Sequence, residues 1–330
     1  MDFIFIVPVL VGFFLTAIAL PFWIDKCKRV GLVWDDLNKF GHPGGVASSG
    51  GVVVVFSFVI GVLSYVALKT FLFSGSNYAL EIFSLLGVIL MISVVGLVDD
   101  LFGWKDGGLS ARIRIFLVLL ASIPLIVINA GVNIINLPFF GSIDFGIIYP
   151  LVIIPLGIVG ATTTYNFLAG YNGLEAGQGI LILSFISFVA YATGSPWLAV
   201  VGICMVGSLV AFFLFNKFPA KVFPGDILTY SIGALVAGMA ILGNFEKIAL
   251  IVFIPYIVEV FLKARGKLKK QSFGIPDKNG YLKMPYNKIY GLEHLAIFVL
   301  NKFGRATERK VTYLIYAFEI LFILIAFLTL

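Results

Sequence analysis

Apolar runs near the length a helix needs to cross a bilayer, about 20 residues, recur along the whole chain: 3–22, 46–73, 81–98, 113–130, 147–165, 176–193, 197–215, 227–243, 247–262 and 311–330. Short polar stretches separate them. This pattern predicts an all-α, polytopic membrane protein of about ten transmembrane helices. Residues 1–330 are expected to form a single integral membrane catalytic domain, because no internal repeat, low-complexity tract or soluble-domain linker interrupts the series. The first run opens at Phe3 with no basic residue ahead of it, and no small-residue cleavage site follows Phe22. It reads as a true span rather than a removed signal.

Composition agrees with the pattern. The chain is 60% hydrophobic and 12% charged, with a mean hydropathy of +1.07, whereas charged residues make up about a quarter of a soluble domain. Charge adds an orientation. When the loops are assigned alternately to two sides, all of the 23 Lys and Arg residues except Lys69 and Lys247 fall on one side. The positive-inside rule makes that side cytosolic and places both termini opposite. Much of the net charge of +6 then becomes a one-sided field, felt by anionic headgroups or substrates at the inner surface. Cys27 falls in an inner loop and Cys204 within a span, which suggests neither a disulfide framework nor a zinc site.

Acidic and amide residues also collect on the cytosolic side. The third run ends in "VVGLVDDLFGW" with Asp99 and Asp100. The fifth leads into "NFLAGYNGLEAGQG" with Asn166, Gly170, Asn172 and Glu175. The seventh leads into "FNKFPAKVFPGDILTY", where Asp226 opens the eighth run. Each piece has an ordinary structural reading: Asp226 as a helix cap, the glycines as turn or packing positions, Lys217 and Lys221 as snorkelling anchors. Together they describe a metal-assisted phosphate site. A hard cation such as Mg²⁺ takes oxygen ligands, usually one or two protein groups plus substrate phosphates, and Asn166 and Asp226 supply suitable oxygens. Glycine-rich backbone lets N–H groups approach phosphate closely. Lys221, Arg112 and Arg114 could pair with further oxyanions. Successive helical residues point about 100° apart, so Asp99 and Asp100 are expected to have different jobs. Glu259 is expected near an interface, Glu319 as a paired structural group or oligomer contact, and His42 as a turn residue.

The three motifs, in this order between spans, resemble those of the polyprenyl-phosphate N-acetylhexosamine-1-phosphate transferases. "NFLAGYNGLEAGQ", "DLNK" at 36–39, "YLKMPYNK" at 281–288 and "RATERKVTYL" at 305–314 are similar to the eukaryotic and archaeal dolichyl-phosphate N-acetylglucosamine-1-phosphate transferase branch. The resemblance implies a ten-helix fold with outside termini. The implied reaction moves a HexNAc-1-phosphate from a UDP-sugar to a polyprenyl or dolichyl phosphate, releasing UMP. Carried over residue by residue, it makes Asn166 and Asp226 the ligands of Mg²⁺, for which Mn²⁺ is a possible substitute. It puts Asn172 and Phe223 at the nucleotide, and Asp99 and Asp100 near the acceptor phosphate. Catalytic roles thus fall on Asp99, Asp100 and Asp226, and substrate binding on Lys39, Arg112, Arg114, Asn166, Gly170, Asn172, Glu175, Lys221 and Phe223. The chain departs from the branch in three places. "HPGGVASSGG" puts Ala47 and Ser48 where the eukaryotic enzymes have a proline–glutamate pair, "QSFGIPDKNG" replaces an arginine-rich segment, and Arg112 or Arg114 stands for a lysine.

The resemblance further implies UDP-HexNAc and polyprenyl phosphate as partners, with membrane lipids around them, no nucleic acid, and a second copy of the chain as a candidate neighbour. The expected location is a prokaryotic plasma membrane, with an archaeal source favoured, or the endoplasmic reticulum membrane. The rival reading is a secondary transporter, in which carboxylates and broken helices near the midplane bind or relay cations.

Overall fold

A computed structural model describes residues 3–73, 78–137 and 141–330. Of Lys105, counted above among the inner-face cations, only the backbone lies within the described residues. Among the described residues the fold is all-α apart from three short hairpins. Helix α1 spans Phe3–Val30, α2 Gly51–Leu72, α3 Ala79–Asp106, α4 Ala111–Ala121, α5 Ile123–Val127, α6 Ile154–Phe167, α7 Leu174–Ala192, α8 Pro196–Asn216, α9 Asp226–Gly243, α10 Glu246–Val252, α11 Ile254–Arg265, α12 Leu292–Phe303 and α13 Glu308–Phe327. A π-helical turn, Tyr149–Ile153, leads into α6. The hairpins are β1–β2 (Val33–Trp34 with Val46–Ala47), β3–β4 (Ile134–Leu137 with Gly141–Asp144) and β5–β6 (Ile275–Pro276 with Leu282–Lys283), all antiparallel.

Among the described residues, eight helices are each long and apolar enough to span a membrane. The two remaining expected spans, 113–130 and 247–262, are each built from a pair of shorter helices. One pair breaks at Ser122 ahead of Pro124 and the other at Phe253 ahead of Pro255. A proline is well placed in the first turn of a helix, but it cannot donate to the turn before it. Helix α12, between the last two expected spans, and the hairpins lie outside the apolar-run pattern, except that β2 occupies the first residues of the run 46–73, whose helix starts at Gly51.

Helix α9 is the hub, buried from Ile227 to Ile241, and it packs along α3 and α6. Small residues set those crossings. A Cβ on Gly96 of α3 would lie 2.6 Å from the Ile227 backbone, and one on Gly233 of α9 would lie 2.5 Å from the Ala161 carbonyl oxygen on α6. Such close backbone approach is how helices pack tightly in lipid, where no hydrophobic force drives them together. It brings the C-terminal ends of α3 and α6 against the N-terminal end of α9. A second group, α1, α2, α7 and α8, packs beside this hub.

Candidate active site

The ends of those three helices surround a cavity of about 470 Å³, lined by Asp35, Asp36, Ser48, Asp100, Asn166, Gly170, Glu175, Phe223, Gly225, Asp226, Thr229 and Phe273 among others. Its frame is backbone pairing between two loops distant in sequence. Phe223 N–H donates to Ala47 O at 2.8 Å, Gly50 N–H to Phe223 O at 2.9 Å and Gly51 N–H to Pro224 O at 2.9 Å. Gly225 turns the chain into α9 with φ 73° and ψ 167°, a region almost confined to glycine. A Cβ there would also lie 2.2 Å from Asp100 Oδ2.

Asp226 is the first helical residue of α9, with Gly225 in the N-cap position, so Asp226 is not the cap; it lines the cavity. The Asp226 N–H donates to Asp100 Oδ1 at 2.7 Å, while Asp100 Oδ2 is buried without a hydrogen-bond partner among the described residues. Asn166 lines the same cavity. Thr229 ties the two together, its hydroxyl lying 2.9 Å from Asn166 Oδ1 and 3.2 Å from the Asp226 carbonyl. On the opposite wall, Glu175 Oε1 accepts from Gly170 N–H at 2.7 Å, and Glu175 Oε2 is a second buried oxygen without a partner. Gly170 has φ 103°, and its carbonyl accepts from Asn38 Nδ2 at 2.8 Å.

The two adjacent aspartates do differ. Asp99 is outside the cavity lining. Its Oδ1 accepts from Leu109 N–H at 2.6 Å, and its Oδ2 from Arg114 Nη1 and Tyr230 Oη, each at 3.1 Å. Asp99 therefore anchors Arg114, which reaches Asp226 Oδ2 only at 3.9 Å, and Asp100 alone of the pair lines the cavity.

Lys39 and Asn172 stand behind the wall in a buried network. Lys39 Nζ pairs with Asp36, and it lies 3.1 Å from Asn172 Oδ1 and 3.4 Å from Glu308 Oε2. Asn172 Nδ2 donates to Asp36 Oδ2 at 3.1 Å, its Oδ1 accepts from Ala220 N–H at 2.6 Å, and its own N–H donates to Glu308 Oε1 at 2.9 Å. Phe223 lines the cavity. Arg112 and Lys221 are exposed and outside the lining, although Lys221 immediately precedes the segment 222–226. Sequence reading did not single out Trp34, Asp35, Asp36, Thr229, Phe273 or Glu308. Signals were present for two of them, since Asp36 opens the "DLNK" motif and Glu308 lies within "RATERKVTYL".

Among the described residues the cavity wall carries five carboxylates, Asp35, Asp36, Asp100, Glu175 and Asp226, and no Lys or Arg. Such a wall repels a phosphate unless cations come with it. No group of three His, Cys, Asp or Glu among the described residues is arranged to hold a metal by itself. The donor set of Asn166 and Asp226, with unpartnered oxygens nearby, fits instead a hard divalent cation that completes its shell with water and phosphate.

Other expectations resolve locally. His42 is an exposed turn residue with φ 46°. Glu259 is fully buried, and its Oε2 accepts from Leu292 N–H at 2.6 Å. Glu319 is fully buried within the chain, with neither oxygen hydrogen-bonded among the described residues. It is thus neither paired by a hydrogen bond nor available as a surface contact.

Comparison with known proteins supplies a lineage for this geometry. Residues 82–244 match the model of glycosyl transferase family 4. A protein of Saccharolobus solfataricus, provisionally named UDP-N-acetylglucosamine–dolichyl-phosphate N-acetylglucosaminephosphotransferase, is 36% identical over 97% of this chain and 95% of its own length. One of the same provisional name from Sulfolobus acidocaldarius is 33% identical over 97% and 94%. The phospho-N-acetylmuramoyl-pentapeptide-transferase of Streptococcus equi subsp. zooepidemicus is 31% identical over 78% of each chain. The chain belongs to glycosyl transferase family 4, the superfamily of polyprenyl-phosphate N-acetylhexosamine-1-phosphate transferases, in its archaeal and eukaryotic dolichyl-phosphate branch.

Proposed function

We propose that the chain transfers N-acetylglucosamine-1-phosphate, or a related HexNAc-1-phosphate, from a UDP-sugar to a polyprenyl or dolichyl phosphate, giving polyprenyl-diphosphate-sugar and UMP. The observation that carries this reading is the convergence of Asn166, Asp226 and Asp100, from three helix ends, on one acidic cavity. Asn166 and Asp226 would hold Mg²⁺, with Mn²⁺ as a substitute. When bound there, the ion offsets the charge of the donor diphosphate and of the departing UMP.

Phosphoryl transfer asks a protein chiefly for positioning and charge neutralisation. An oxygen of the lipid phosphate attacks the sugar-linked β-phosphorus. The bond from that phosphorus to the bridging oxygen breaks, and the oxygen leaves with UMP. The second pKa of a phosphate monoester is about 6, so the acceptor is largely a dianion at neutral pH and needs no strong base. Asp100, held by the Asp226 N–H, positions the acceptor or takes its residual proton. Asp99 fixes Arg114 beside Asp226. Gly170, Glu175 and Phe223 form the donor wall, Asn172 and Lys39 brace it, and Lys221 and Arg112 attract anions to the mouth.

The same reading sets the protein in a prokaryotic plasma membrane, with the cavity on the cytosolic face and both termini opposite. UMP release from UDP-N-acetylglucosamine by purified protein tests the reaction. It should require both polyprenyl phosphate and Mg²⁺, whereas a transporter or a lipid-binding scaffold releases none. A phosphosugar trapped covalently on the protein without acceptor would replace direct attack by a two-step route.

A further inference from the structure

Behind the cavity wall lies a second cluster of buried ionisable groups that the reaction scheme does not use. Glu259 and Lys263 project from α11, and Glu293 and His294 from α12. Both glutamates and the histidine are fully buried. The two carboxylates converge over Gly291, where an added Cβ would lie 2.6 Å from Glu293 Oε2 and 3.1 Å from Glu259 Oε1. Lys263 Nζ lies 3.5 Å from Glu259 Oε1 and donates to Ser272 Oγ at 2.7 Å. Among the described residues neither oxygen of Glu293 nor His294 Nε2 meets a partner in hydrogen-bond geometry, although Glu293 faces Ser272 and His294 faces the backbone of Gln271 and Phe273. The Nδ1 of His294 accepts from Tyr290 N–H at 3.3 Å.

Buried polar groups of this kind are costly unless they organise something. What they touch is the loop leading to β5. The Ser272 carbonyl accepts from Tyr171 Oη at 3.4 Å. The next residue, Phe273, lines the cavity and packs on Gly170, where a Cβ would lie 2.7 Å from its ring. A continuous path therefore runs from α11 and α12 through Ser272 and Phe273 to Gly170, whose N–H is held by Glu175.

We propose that Lys263, Glu259 and Glu293 are positioning residues that lock the 271–274 loop against the 170–175 segment, and so set the donor side of the cavity. This rests on the assignment of that wall to the UDP-sugar. Burial, and secondarily the neighbouring Glu259, hold the Glu293 carboxyl well above the ordinary range, with Lys263 opposing. Burial, followed by the Lys263 charge, lowers His294 to about 4, so it is a neutral ring at physiological pH.

Two measurements test the proposal. Hydrogen–deuterium exchange of the purified full chain reads the coupling whether or not the reaction assignment holds. In Lys263→Met, exchange should rise in peptides covering 168–175 and 270–275 and stay unchanged in 99–109. Unchanged exchange in both segments, or a rise throughout the chain, would overturn the proposal. Kinetics reads the consequence. Groups that orient a binding residue are typically worth about ten- to a hundredfold. Lys263→Met should therefore raise KM for the UDP-sugar about tenfold while KM for polyprenyl phosphate stays within about twofold, and Lys263→Arg should restore much of the loss. Glu293→Gln, which keeps the size and a carbonyl oxygen of the side chain, should lose less than Glu293→Leu, which should follow Lys263→Met. Equal rises in both KM values would refute a donor-side role. Absence of any transfer by wild-type protein would instead refute the reaction assignment, with the exchange result still standing.

Discussion

Neighbouring residues of one type do unlike work here, and substitution should separate them. Asp226→Ala removes a cavity carboxylate that makes no cap, so the fold should persist while kcat falls more than about a hundredfold. The aspartate pair gives a sharper contrast. Asp99 accepts three hydrogen bonds, so Asp99→Asn should cost about 1–3 kcal/mol of stability and free Arg114. Asp100→Asn keeps an oxygen for the Asp226 N–H, so thermal stability should hold while kcat drops about a hundredfold. Equal melting temperatures for the two variants would contradict the division of roles. Gly225→Ala should destabilise by at least about 1–3 kcal/mol from backbone strain. His294 adds a pH dependence. Its pKa falls from 6.5 to about 4 in the folded protein, so the neutral ring favours folding above about 6.5, and that stability is lost as pH falls toward 4. Thermal unfolding between pH 8 and 4 should show a shallower acid-side decline for His294→Gln than for wild type; parallel curves would rule this out. Residue types and motif order exposed Asn166, Asp100 and Asp226 in the sequence. Glu259 and Glu293 were illegible, because what makes them unusual is burial by tertiary packing.

At the level of elements, the site exists because α3, α6 and α9 approach closely at Gly96 and Gly233. Overpacking costs about 1–3 kcal/mol in a well-filled contact. Gly96→Val and Gly233→Val should each destabilise by at least that much, and each should reduce activity although neither residue lines the cavity. Normal activity in both would show that the helix ends are held by other means. Most of these helices were readable from apolar length alone. The breaks at Pro124 and Pro255 were not, because a hydropathy run continues through a proline that ends the hydrogen-bond ladder. Helix α12 escapes the pattern because its continuous apolar run covers only residues 295–300, between polar residues near the ends of Leu292–Phe303, too short to register as a span. Thr229 and Phe273 look like ordinary residues of a helix and a loop; only the fold brings them to Asn166 and Gly170.

Across the whole molecule, the lopsided placement of Lys and Arg and the acidic cavity work together. On the proposed reading, a basic inner surface would gather anionic lipid phosphate and nucleotide sugar, and the carboxylate-lined cavity would admit them only with a neutralising cation. Because Cys27 and Cys204 are both buried, a cysteine introduced at the exposed Leu268 should react with a membrane-impermeant maleimide only from the cytosolic side; labelling from outside would invert the orientation. The most direct test of the convergence itself is Mn²⁺ binding, followed by electron paramagnetic resonance in the presence of UDP-N-acetylglucosamine. Asn166→Ala and Asp226→Ala should each weaken binding by at least about tenfold, with Asp99→Asn near wild type. Unchanged affinity in both cavity variants would contradict a shared cation at the meeting point of α6 and α9.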